Sequence, residues 1–152
     1  MSYSTWITYG YGVRIDDIKT TPKRVLELAK LKPKLYENLR EYFKDYNMDD
    51  ITMEDFDNLE DHPVFMDSPF TYNIDGVAGI IEEVINEELP VVFADNYDGE
   101  QYILYCPNYP WNMGEFQKNL TEEKVKDIFN KYVKILTDEP VKVDYYDVEN
   151  GG

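Results

Sequence analysis

From residue 45 to residue 117 the sequence contains no lysine and no arginine. The chain as a whole has one cysteine, Cys106, and one histidine, His62. A single cysteine excludes an internal disulfide, so a reducing compartment is expected. No basic segment followed by an apolar run opens the sequence, and secretion is not expected. The apolar runs, such as Ile103 to Cys106, fall far short of the roughly 20 residues that a membrane helix needs. A membrane span is therefore not expected either.

The scarcity of histidine and cysteine also narrows the chemistry. Any Ser-His, Cys-His or histidine-rich metal site would rest on His62 alone. That residue precedes Pro63 in a stretch that reads as loop, from His62 to Tyr72, and a surface or capping role is expected for it. Cys106 closes the run Tyr-Ile-Leu-Tyr-Cys-Pro with no second cysteine and no nearby cation to lower its pKa, and it reads as core. Tyr9-Gly10-Tyr11-Gly12 lacks the third glycine of a dinucleotide loop and the Lys-Ser/Thr of a P-loop.

What is present is acid and aromatic surface. The 152 residues suit one domain, and 43% apolar with 15% aromatic residues is too much for disorder despite a net charge of −16. The charge is segregated. Residues 1–44 hold nine cations and five acids, residues 45–117 hold eighteen acids and no cation, and residues 118–152 hold six cations and eight acids. The central part thus carries more than the whole excess, whereas ordinary surfaces intersperse both signs. A negative field of this size repels phosphate and anionic lipid, so direct nucleic-acid and membrane binding are not expected, and basic protein surfaces are the natural partners.

The pattern predicts an α+β single domain: an antiparallel sheet of about four strands packed with four or five helices on one face. Tyr3 to Ile15 reads as a strand, with Gly10 and Gly12 implying a bulge or a close backbone approach. Thr21-Pro22 starts a helix and Pro33 a second, giving a helical hairpin or one sharply kinked helix. Thr52 is placed to cap a short acidic helix through Leu59, with Asp55 in the acidic position of a capping box. Asp75 to Glu88 carries a helical stripe. Val91–Ala94 and Gln101–Cys106 read as a hairpin joined through Asp98-Gly99. Thr121 caps a last helix stopped by Pro140, and a strand from Val141 to Val148 precedes a flexible Asn-Gly-Gly end.

The candidate site is the acidic segment. Asp45 to Asp61 places eight carboxylates in seventeen residues, interleaved with Met48, Ile51, Met53, Phe56 and Leu59 as anchors. Asp49, Asp50, Glu54, Asp55, Asp57, Glu60 and Asp61 are expected to face solvent or a partner. Acids at i, i+3 and i+4 of a helix lie about 5–6 Å apart, near enough to the phosphate spacing of about 3.4 Å per strand to compete for a basic groove. Asp98 adds a carboxylate at the hairpin turn. Tyr109 and Trp111, in a Pro-rich loop, are of the residue types enriched at binding hot spots. The Asp95 to Glu100 segment offers oxygen ligands but lacks the register and terminal glutamate of an EF-hand, and a hairpin turn explains it. No metal, no cofactor and no enzymatic activity are expected.

The opening Ser2-Tyr3-Ser4-Thr5-Trp6-Ile7-Thr8-Tyr9-Gly10-Tyr11-Gly12, the segment Tyr97 to Tyr105 and the helix from Leu120 resemble small acidic proteins of phages and prophages, among which are anti-CRISPR inhibitors of type II Cas9. The resemblance implies an inhibitor acting in the cytoplasm of a bacterial host, which binds the cationic surface that a Cas9-type nuclease offers to DNA. Three readings stand side by side: such a nucleic-acid mimic; a phage or bacterial interaction module that binds through its Tyr/Trp loop; and a hydrolytic or metal-dependent enzyme built on clustered carboxylates. Lys19, Lys23, Arg24, Lys30, Lys32 and Lys34 could also meet the acidic segment of a second copy, which leaves a homodimer open.

Overall fold

The computed structural model describes residues 5–59, 62–66, 74, 76–96, 98–106 and 120–151. Four strands, β1 (Thr5–Arg14), β2 (Val92–Asp95), β3 (Gln101–Tyr105) and β4 (Asp144–Gly151), form one antiparallel sheet in the order β2-β3-β1-β4. Five α-helices are present among the described residues: α1 (Pro22–Ala29), α2 (Pro33–Tyr42), α3 (Pro63–Met66), α4 (Gly76–Asn86) and α5 (Glu122–Leu136). The α+β architecture expected from the pattern is the one observed.

Local chemistry sets the boundaries. The Thr21 hydroxyl accepts from Arg24 N–H at 3.4 Å and Pro22 occupies the first helical position, so α1 starts where the threonine-proline pair requires. Leu31 and Lys32 N–H donate back to Leu28 and Ala29, closing a tight turn before Pro33 opens α2. Thr121 caps α5 through Lys124 N–H at 3.1 Å. In the hairpin, Asn96 Oδ1 accepts from both Asp98 and Glu100 N–H, and Gly99 takes φ +81°, a region that favours glycine.

Three expectations are corrected. A single helical turn, α3, stands within the stretch read as loop: Pro63 fills its first position and His62 Nδ1 accepts from Val64 N–H at 3.2 Å, which gives His62 the capping role expected of it. The Asn-Gly end is not free, because Asn150 and Gly151 pair with Trp6 and Thr5, and the long β1 supplies the hydrogen-bonding edge that holds them. The acidic helix expected from Thr52 to Leu59 is instead a 3₁₀ turn, Met53–Phe56, preceded by another at Met48–Asp50. Burial of Ile51, Phe56 and Leu59 at uneven spacing fits two short turns better than one continuous α-helical stripe.

The glycines of β1 mark a close approach. A Cβ on Gly12 would lie 1.9 Å from the Ile103 carbonyl oxygen, and one on Gly10 would lie 2.1 Å from that of Tyr105. Tyr102 of β3, opposite Arg14, and Tyr146 of β4, opposite Gly10, have ring centroids 5.2 Å apart.

The opposite face of the sheet holds the main core. Val13, Ile103 and Tyr105 join Val25, Leu28, Leu35, Leu39, Phe129 and Leu136 in one buried cluster. Helix α5 packs on β1, α4 packs on β2 and β3, and α1 touches both α4 and α5. The Met53–Phe56 turn also rests on α4, and this contact brings the acidic segment to the edge of the helical layer.

Candidate protein-binding site

The acidic segment leaves α2 and is pinned by Ile51, Phe56 and Leu59, all buried. Met53 is half-buried, whereas Met48, expected as an anchor, is 56% exposed. Asn47 Oδ1 accepts from Asp49 N–H at 3.1 Å, and the Asp55 carboxylate accepts from Thr52 N–H at 2.7 Å. Asp55 is therefore half-buried and spent on its own capping box, contrary to the expectation that every acid here faces outward. Asp49, Asp50, Glu54 and Asp57 are exposed.

Among the described residues, none of these four carboxylates forms an ion pair. Several cations pair with other acids: Arg14 with Asp16, Asp17 and Glu100, Arg24 with Asp138, Lys32 with Glu83 and Glu87, and Lys131 with Glu88. Lys23 and Lys30 share a pocket wall with Asp49 without pairing to it, so the four carboxylates are held in no salt bridge and their field extends over about a Debye length, near 8 Å at physiological salt.

Glu54 and Asp57 also line a groove of about 610 Å³ between the Met53–Phe56 turn, the start of α4 and the β2–β3 ribbon. Its wall includes Ile15, Val77 and the 38%-exposed ring of Phe93. A third carboxylate, Glu82, lines the same groove and is only 6% exposed. Burial pushes the Glu82 pKa up to about 7; a hydrogen bond from the Phe93 backbone opposes the shift, and the charge of Glu83 adds to it. No cation lies among the described lining residues.

Glu82 escaped the sequence reading, and so did its neighbour Glu83. Glu83 is fully buried and paired with Lys32, which reaches it from the turn between α1 and α2 and also meets Glu87 at 3.0 Å. The sequence carries no signal for this: Val77, Ala78, Ile80, Ile81, Val84 and Ile85 share one side of α4 and both glutamates fall on the other, which periodicity alone reads as the solvent face.

Of the other expected site residues, Asp98 is exposed at the hairpin turn and is not among the groove's described lining. Glu60, Asp61, Tyr109 and Trp111 lie outside the described residues. Cys106 is half-buried, and burial raises its thiol pKa, so it is a poor nucleophile. Among the described residues no group of three or more His, Cys, Asp or Glu side chains is placed to hold a metal ion, and no helix is long and apolar enough to cross a membrane. No protein family, no curated protein and no solved structure matches the chain at a significant level.

Proposed function

We propose that this chain is an inhibitory binding protein that occupies a cationic surface built to hold nucleic acid. The observation that carries the reading is the set of exposed carboxylates Asp49, Asp50, Glu54 and Asp57, none of which forms an ion pair among the described residues. The sequence resemblance to phage-borne anti-CRISPR proteins makes a Cas9-type nuclease the first target to test, with binding in the bacterial cytoplasm displacing DNA and with no bond made or broken. The acids follow two 3₁₀ turns and not a helical ladder, so they compete with phosphates through summed charge and not through a matched repeat.

The test is charge reversal. A D49K/D50K/E54K/D57K variant is expected to keep its thermal midpoint within a few degrees and to lose inhibition of DNA cleavage, because surface substitutions away from the core each cost little stability. Full inhibition by that variant would overturn the proposal.

A further inference from the structure

The groove between the acidic turn and α4 has a composition that suits one kind of side chain. Apolar atoms of Ile15, Met53, Val77 and Phe93 form its walls, the carboxylates of Glu54 and Asp57 are exposed, and that of Glu82 is more than nine-tenths buried. The Glu82 carboxylate accepts one backbone hydrogen bond, from Phe93, and faces no cation among the described residues. A buried carboxylate without a counter-charge is costly, and a ligand that brings one recovers part of that cost.

We propose that this groove receives one arginine side chain of the basic partner. Arginine fits the walls and the acids together: its methylene stem lies against apolar surface, its planar guanidinium stacks on an aromatic ring such as Phe93, and its fork donates to carboxylates. Surfaces that hold nucleic acid are rich in this residue. The inference rests on the reading of the chain as a ligand of such surfaces, and it names the place where a diffuse charge attraction becomes a specific contact.

The experiment uses the whole chain and no nuclease. The ¹⁵N-labelled protein is titrated with N-acetyl-arginine methylamide and, separately, with N-acetyl-citrulline methylamide, which has nearly the same shape and no charge. Saturable amide shifts at Val77, Ala78, Gly79 and Phe93 are expected with the arginine probe and not with the citrulline probe. E82Q removes a buried charge without removing volume, so it keeps the fold, and it is expected to weaken the arginine probe about tenfold or more. No shifts at these amides, equal shifts with citrulline, or binding unchanged in E82Q would overturn the groove assignment.

Because the probe is a single residue, the two proposals fail separately. Arginine binding without nuclease inhibition sinks the inhibitory function and leaves the groove; nuclease inhibition with a silent titration sinks the groove and leaves the acidic surface.

Discussion

Glu82 and Glu83 are adjacent on α4 and both buried, yet Lys32 sits against Glu83, whereas Glu82 has no cation beside it among the described residues. One carboxylate is held as a structural ion pair and the other is left facing a groove. The difference sets up two opposite expectations.

For Glu82, the pKa in the folded state, about 7, lies above the ordinary value of 4.5, so the native chain binds this proton more tightly than the unfolded chain. The contribution is present in full below pH 4.5 and is lost as the pH rises through 7. E82Q should therefore stabilise the protein at pH 8 by on the order of 1–3 kcal/mol and make little difference near pH 4. Urea unfolding of both proteins at the two pH values checks this, and a larger benefit at the acidic pH contradicts it.

For Glu83, the expectation reverses. Burial works against the Lys32 charge, the hydrogen bonds it donates to Glu83 and Glu87 outweigh that, and the lysine pKa lies above its ordinary value. K32M takes the cation away from a fully buried carboxylate, at a cost of about 3–5 kcal/mol, while K32M/E83L should recover most of the loss. A double variant as unstable as K32M in denaturant melts would show that the pair is not the reason.

These two residues also show where the sequence was legible and where it was not. Caps and breakers are local, so Thr21-Pro22, Thr121 and Asp98-Gly99 placed helix and turn boundaries directly. The four-strand sheet followed from alternation and the hairpin signal. The groove did not, because it is made by residues far apart in the chain: Glu54 on a 3₁₀ turn, Glu82 on a helix and Phe93 on a strand. Acidic residues were counted by density, which pointed to residues 45–61 and overlooked two glutamates that matter because of what surrounds them. The 3₁₀ turns were missed for a related reason, since the burial of Ile51, Phe56 and Leu59 comes from tertiary packing, as where Phe56 meets Phe43 and its turn rests on α4, and not from helix propensity.

The glycines of β1 yield a sharper structural test. G12A would set its methyl carbon 1.9 Å from the Ile103 carbonyl oxygen, a backbone atom that cannot step aside. Destabilisation of about 2 kcal/mol or more is expected by thermal melt. A neutral G12A would contradict the close approach of β1 and β3 at this position.

The central claim is that the exposed acids of this surface, held in no ion pair, bind a basic, nucleic-acid-holding protein. The most direct measurement is DNA cleavage by a type II Cas9 with and without this chain, repeated at low and moderate salt. The account predicts inhibition that weakens steeply as salt rises and that vanishes in D49K/D50K/E54K/D57K. Absence of inhibition at low salt, or inhibition indifferent to both salt and charge reversal, would contradict it.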